Sequence, residues 1–278
     1  MNIMHDIKLG YHWVKQSYEL FLHHPAKWLF LSFLYLFVFI LLPMLLLGAI
    51  GFLVSQHGSI LLLILISLLG LAVSFSWPIF TSLVIGVCRE THMERPTHLS
   101  EIFAKIRPHI LQLVLLGVLF FVYRMLMLFA TQSDMQALEQ WRVAHPHATD
   151  FPWIFWLTMI KLLVLEVPLI LATWYSPLLI SFQELTVLNA IQHSIWASLK
   201  NLVSLLSAWV SLTVFVVLLM LGLGLLVGVI ALVSSTVGQA LGEMLLMLAF
   251  LIATAFLFSI QYFSYLYMYY QKNSQSSN

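Results

Sequence analysis

Six apolar stretches divide the chain, and each is long enough to cross a bilayer, whose hydrocarbon core takes roughly 20 helical residues. They lie at about 28–54, 60–87, 110–130, 152–182, 202–233 and 240–270. Between them the pattern turns polar. Gln56, His57 and Gly58 read as a tight turn, and residues 89–108 read as a polar loop. Residues 131–150 read as a polar connection, and residues 234–239 as another short turn. Backbone inside hydrocarbon must satisfy its own hydrogen bonds, which leaves helices or a closed barrel. Barrel strands alternate every second residue, and these runs do not. The pattern therefore predicts an all-α bundle of six transmembrane helices, forming one integral membrane domain over residues 1–278.

A second pattern precedes each odd-numbered span. Over about residues 7–24, Lys8, His12, Lys15, Gln16, Glu19 and His23 fall on one helical face, opposite Gly10, Val14, Ser17, Tyr18 and Phe21. Before the third span, Ser100 is a plausible N-cap. Glu101 follows it, and Ile102, Phe103 and Ile106 supply an apolar side. Before the fifth span, Val187, Ile191, Ile195 and Leu199 form a stripe beside polar Asn189, Gln192, His193 and Lys200. Such segments suit the headgroup region, or a lid packed over the mouth of the bundle. The returning spans also rhyme. Ser76-Trp77-Pro78-Ile79-Phe80 and Trp174-Tyr175-Ser176-Pro177-Leu178 both set aromatics just before a proline. The chain thus reads as three hairpins, each entered through an interfacial helix.

Composition agrees with a chain surrounded by lipid. Hydrophobic residues make up 62% and charged residues 8%, against roughly a quarter charged in soluble domains. The net charge of +1 and the scattered basic residues give no reason to expect nucleic acid as a partner. Lys8, Lys15, Lys27, Arg89, Arg95, Lys105, Arg107, Lys200 and Lys272 all fall outside the spans on one side, and only Arg142 falls on the other. Basic loops face the cytoplasm, so both termini are expected there, and a bacterial inner membrane is the expected setting. The first apolar run begins too deep for a typical cleavable signal, so it is expected to stay as an anchor. Cys88 is the only cysteine, which excludes an internal disulfide, and it reads as a small residue at a helix end.

Gly10-Tyr11-His12-Trp13, Tyr18-Glu19-Leu20-Phe21 and Pro25-Ala26-Lys27-Trp28 resemble the opening of an uncharacterised family of six-helix bacterial inner-membrane proteins. Tyr175-Ser176-Pro177-Leu178-Leu179, then Leu188-Asn189-Ala190-Ile191 and residues 194–201, resemble that family's second half. A more distant likeness is to the membrane domain found beside some glycerophosphodiester phosphodiesterases. The resemblance implies the six-helix layout and no established chemistry.

Candidate chemistry is confined to a few residues. Arg124, Lys161 and Glu166 are charged within the spans, where charges are costly and face protein or water. At about 1.5 Å per residue, Arg124 lies about 9 Å, Lys161 about 14 Å and Glu166 about 21 Å from the outer ends of their helices. Lys161 and Glu166 point away from one another on an ideal helix, and Glu243 is a candidate partner for Arg124. These four define a candidate polar intramembrane site. Alternatively, Arg124 and Lys161 reach to the outer surface or pair within the bundle. Pro168 and Pro177 make the fourth span the most irregular and form a candidate hinge. Pro43 and Pro78 also interrupt spans. Gly224 and Gly228 form a small-residue face for helix packing, within this chain or against a second copy. Tyr262, Phe263, Tyr265, Tyr267, Tyr269 and Tyr270 read as an interfacial anchor, with Tyr262, Tyr265 and Tyr269 on one face.

The histidines, among them the His23–His24 pair, His92, His98, His145 and His147, follow no zinc-ligand spacing, and no metal or other cofactor is expected. No catalytic motif is present, so an enzyme is not expected. The expected role is a non-enzymatic component acting through lipid or protein contacts, self-association included. A small transporter or lipid-handling carrier is the alternative.

Overall fold

The computed structural model describes residues 3–54, 59–96, 98–145 and 150–271. Helix α1 (Ile3–His23) leads to the first span, which is α2 (Pro25–Leu36), a π-helical stretch at Phe37–Leu41, and α3 (Leu42–Val54). The wide turns run up to Pro43, whose missing N–H breaks the usual ladder. The second span is α4 (Ser59–His92). Helix α5 (Leu99–Ile106) and a 3₁₀ turn at Arg107–His109 lead into α6 (Ile110–Ala144), which α7 (Trp153–Gln183) answers. Helix α8 (Val187–Lys200) then precedes the last hairpin, α9 (Leu202–Val233) and α10 (Ser235–Leu266), which continues as a π-helical turn at Tyr267–Gln271. Six helices among the described residues are long and apolar enough to cross a membrane, so the chain is an all-α, multi-pass membrane protein.

Several boundaries differ from the sequence pattern. The third long helix does not stop near Ala130 but runs on to Ala144. Residues 131–144 are polar but contain no Gly or Pro, and Gln, Ala, Leu, Glu and Met there favour helix. Polarity marked the edge of the apolar run and not the end of the helix. The turn at 234–239 shrinks to Ser234, whose hydroxyl caps α10 by accepting from the Val237 N–H at 3.5 Å. His98, and not Ser100, holds the N-cap position of α5. The turn at Gln56, His57 and Gly58 lies outside the described residues.

The three amphipathic helices pack onto the bundle in a repeating way. Helix α5 lies on α4 and α8 on α7, each against the returning helix of the hairpin before it. Helix α1 lies on α10 and along α9, which places it against the last hairpin and closes the order into a ring. Gly10 lets α1 meet α9, since a β-carbon there would sit 2.8 Å from the Ala208 nitrogen. Ser207 fastens the same contact by donating to the Ile7 carbonyl at 2.8 Å. The buried faces differ from the apolar stripes. Helix α1 buries Gly10, Trp13, Val14, Ser17 and Leu20 and leaves Tyr18 exposed. Helix α8 buries Val187, Ala190, Ser194 and Ser198, while Leu199 is exposed. Close backbone approach decided these faces, and hydrophobicity alone did not.

The returning helices α4, α7 and α10 meet at the centre. Ile85, Leu178, Leu179, Ile180 and Ile260 are buried there. Pro78 and Pro177 each precede a serine by four residues, and those serines meet: Ser181 donates to Ser82 at 2.8 Å. Ser82 also reaches the Pro177 carbonyl at 3.2 Å. Both α4 and α7 are followed by a glutamate in the left-handed region, Glu94 at φ 54° and Glu184 at φ 57°, a conformation usually left to glycine. The aromatic end of α10 is not an interfacial anchor throughout. Tyr262, Phe263 and Tyr265 are buried because α10 occupies the middle of the bundle. Burial thins toward the other end. Beyond Leu212, α9 buries no side chain among the described residues.

Candidate functional site

The intramembrane charges gather on the α6–α7 hairpin, where they resolve into two ion pairs. The Arg124 guanidinium donates from Nη1 to Glu166 Oε1 at 2.7 Å. The Lys161 ammonium donates to Asp134 Oδ2 at 2.8 Å. The Tyr123 hydroxyl adds a third rung by donating to the Leu165 carbonyl at 2.7 Å. An antiparallel hairpin brings residues together that lie equally far from its turn, and all three contacts follow that rule. Glu243 takes no part. It accepts from Gln239, one turn earlier on α10, at 3.3 Å, and the expected Arg124–Glu243 pairing is replaced by Arg124–Glu166.

Asp134 escaped the sequence reading because it follows the apolar run. With α6 extended it lies ten residues beyond Arg124, near Lys161 on the neighbouring helix. A polar tail free of Gly and Pro was the signal that could have found it.

The two pairs have different surroundings. Arg124 and Glu166 line a groove of about 350 Å³ between the first and second hairpins, with Trp77, Phe120, Leu169 and Thr173 among its walls. The floor is set by close helix contact: a β-carbon on Gly117 of α6 would lie 2.8 Å from the Phe75 Cα of α4. Lys161 is not on the groove wall. The four residues expected to form one site therefore separate: Arg124 and Glu166 pair in the groove, Lys161 pairs with Asp134, and Glu243 joins neither pair.

Helix α7 carries Pro168 and Pro177 in its interior, and side chains of neighbouring helices bond to its backbone just before Pro177. The Ser194 hydroxyl of α8 donates to the Leu171 carbonyl at 2.7 Å and accepts from the Tyr175 N–H at 3.0 Å. Those two groups are i−4 and i partners along α7, so Ser194 bonds to both ends of one helical turn. Gln261 of α10 donates to the Trp174 carbonyl. The Pro177 region is thus tied on two sides, by α8 and α10. Gly224 and Gly228 have open space where a side chain would extend, so their face packs on no other part of the described chain.

A second and larger cavity, of about 680 Å³, lies where α1 ends, α2 begins and α4 ends. Its polar lining includes both members of the His23–His24 pair. Spacing along the chain gave no hint of it, since its walls come from segments about 70 residues apart. Among the described residues, no group of three His, Cys, Asp or Glu side chains is placed to hold a metal ion. Comparison with protein-family models, with curated proteins and with solved structures found no match to this chain.

Proposed function

We propose that this chain is a non-enzymatic component of a bacterial inner membrane, with both termini cytoplasmic, that assists a membrane process by holding lipid against its side. The observation that carries this reading is the groove between the first two hairpins. Its apolar wall, with Trp77, Phe120 and Leu169, suits an acyl chain, and the Arg124–Glu166 pair supplies one polar point within it. That division matches an amphiphile better than a small polar solute. The packed meeting of α4, α7 and α10 also supports contact at the side over passage through the middle. The orientation rests on the nine basic residues against one. Kinship with the uncharacterised six-helix family belongs to the same proposal. A protein neighbour, or a second copy of the chain, is an additional contact that the exposed outer half of α9 can accommodate.

The test is purification in a mild detergent followed by native mass spectrometry. The wild-type chain should retain lipid, and Arg124→Leu combined with Glu166→Gln should lose a retained species. A wild-type chain that retains neither lipid nor a protein partner would overturn the proposal. The second reading is a lipid-handling carrier, favoured by Pro168, which lies on α7 beside the groove residue Leu169. Lipid movement between leaflets of vesicles containing the chain, lost on Arg124→Leu, would select it.

A further inference from the structure

The larger cavity has a composition that the groove lacks. Lys27 lies in the first turn of α2, and Arg95 follows the end of α4. Both line the cavity, together with Glu19, Glu94, His23 and His24. Lys27 donates to Thr91 at 2.7 Å, which fixes the ammonium at the wall. His23 is held by the Glu19 carbonyl at 2.7 Å, and His92 by the Tyr262 hydroxyl at 3.1 Å. Glu19 lies 3.8 Å from Lys15, one turn back on α1. Two cations and two carboxylates therefore line one space. The cavity also lies at the level where the first span begins and the second ends, which is the headgroup level of a bilayer.

We infer that this cavity binds a zwitterionic phosphoethanolamine headgroup, with Lys27 and Arg95 on the phosphate and Glu19 and Glu94 on the ammonium. An anion alone would meet the two carboxylates, and a cation alone would meet Lys27 and Arg95. A ligand carrying both charges satisfies all four. Glu94 holds the left-handed position after α4, where the Arg95 N–H returns to the Glu90 carbonyl at 2.9 Å. Glycine takes that conformation without strain, so Glu94→Gly removes the carboxylate without burdening the fold. The inference rests on the lipid-contacting reading above, and it concerns a different site.

The experiment uses the full chain in nanodiscs and in detergent, with phosphatidylethanolamine, phosphatidylglycerol and free phosphoethanolamine as probes. Wild type should bind phosphatidylethanolamine at least tenfold more tightly than phosphatidylglycerol. Lys27→Gln with Arg95→Gln should lose that preference, and Arg142→Gln, which lines neither the cavity nor the groove, should keep it. Glu94→Gly should also lose it while raising the melting temperature, which separates lost recognition from lost folding. Binding of the lipid without binding of free phosphoethanolamine identifies the ligand as lipid. Equal binding of the free compound identifies a soluble ligand of the same chemistry, and either result upholds the site. Unchanged preference in the Lys27/Arg95 and Glu94 variants would overturn the inference. If lipid is lost only from the Arg124→Leu, Glu166→Gln groove variant, the inference fails and the groove reading stands. If no lipid binds to any form, both fail.

Discussion

Lys161 and Asp134 show how one residue decides the cost of another. The ammonium side chain is about two-fifths exposed and its carboxylate partner one-fifth exposed, so neither is free in water. Removing one partner leaves the other poorly solvated, whereas removing both together removes the problem. Asp134→Ala should therefore lower the melting temperature in detergent, and adding Lys161→Met should recover part of the loss. The double-mutant cycle should give a coupling of about 1 kcal/mol. Additive losses would show that the pair contributes nothing at that depth. Arg124 and Glu166 form a pair of the same kind, but theirs faces a groove, so chemistry at the residue scale does not tell the two apart. Their surroundings do.

At the scale of elements, backbone contact sets the arrangement. Helix α1 meets α9 through Gly10, while the Gly224–Gly228 face of α9 meets nothing among the described residues. Gly10→Leu should destabilise the fold by about 1–3 kcal/mol through overpacking and should expose α1 to protease. Gly228→Leu should shift stability by no more than about 0.5 kcal/mol. Equal losses from the two variants would mean that a second chain covers the glycine face. The same contrast explains what could be read beforehand. The apolar runs of the six spans were legible because hydrocarbon demands an apolar surface over a fixed length. The prolines of α7 were legible as positions without a backbone N–H, and neighbouring side chains bond to the helix just before Pro177. Which small-residue face would be buried was not, because Gly, Ala and Ser carry almost no hydrophobic signal and matter through the distance they permit. The polar end of α6 was hidden for the opposite reason: leaving hydrocarbon changes the composition of a helix without ending it. The cavity walls of Lys27 and Arg95 depend on how α1, α2 and α4 converge, which no local pattern records.

For the whole molecule, orientation and repetition matter most. Cys88 is fully buried and is the only cysteine, so introduced cysteines can be labelled one at a time. With cytoplasmic termini, Arg142→Cys should react with an impermeant maleimide in intact cells, and Lys105→Cys only after permeabilisation. The reverse pattern would invert the proposed topology. The first two hairpins are joined by Ser82 and Ser181, each four residues after a proline. A hydroxyl both donates and accepts, which makes it complementary to itself. The same residue type at the same offset from a proline on each hairpin is therefore enough to join the two, with no second kind of partner needed.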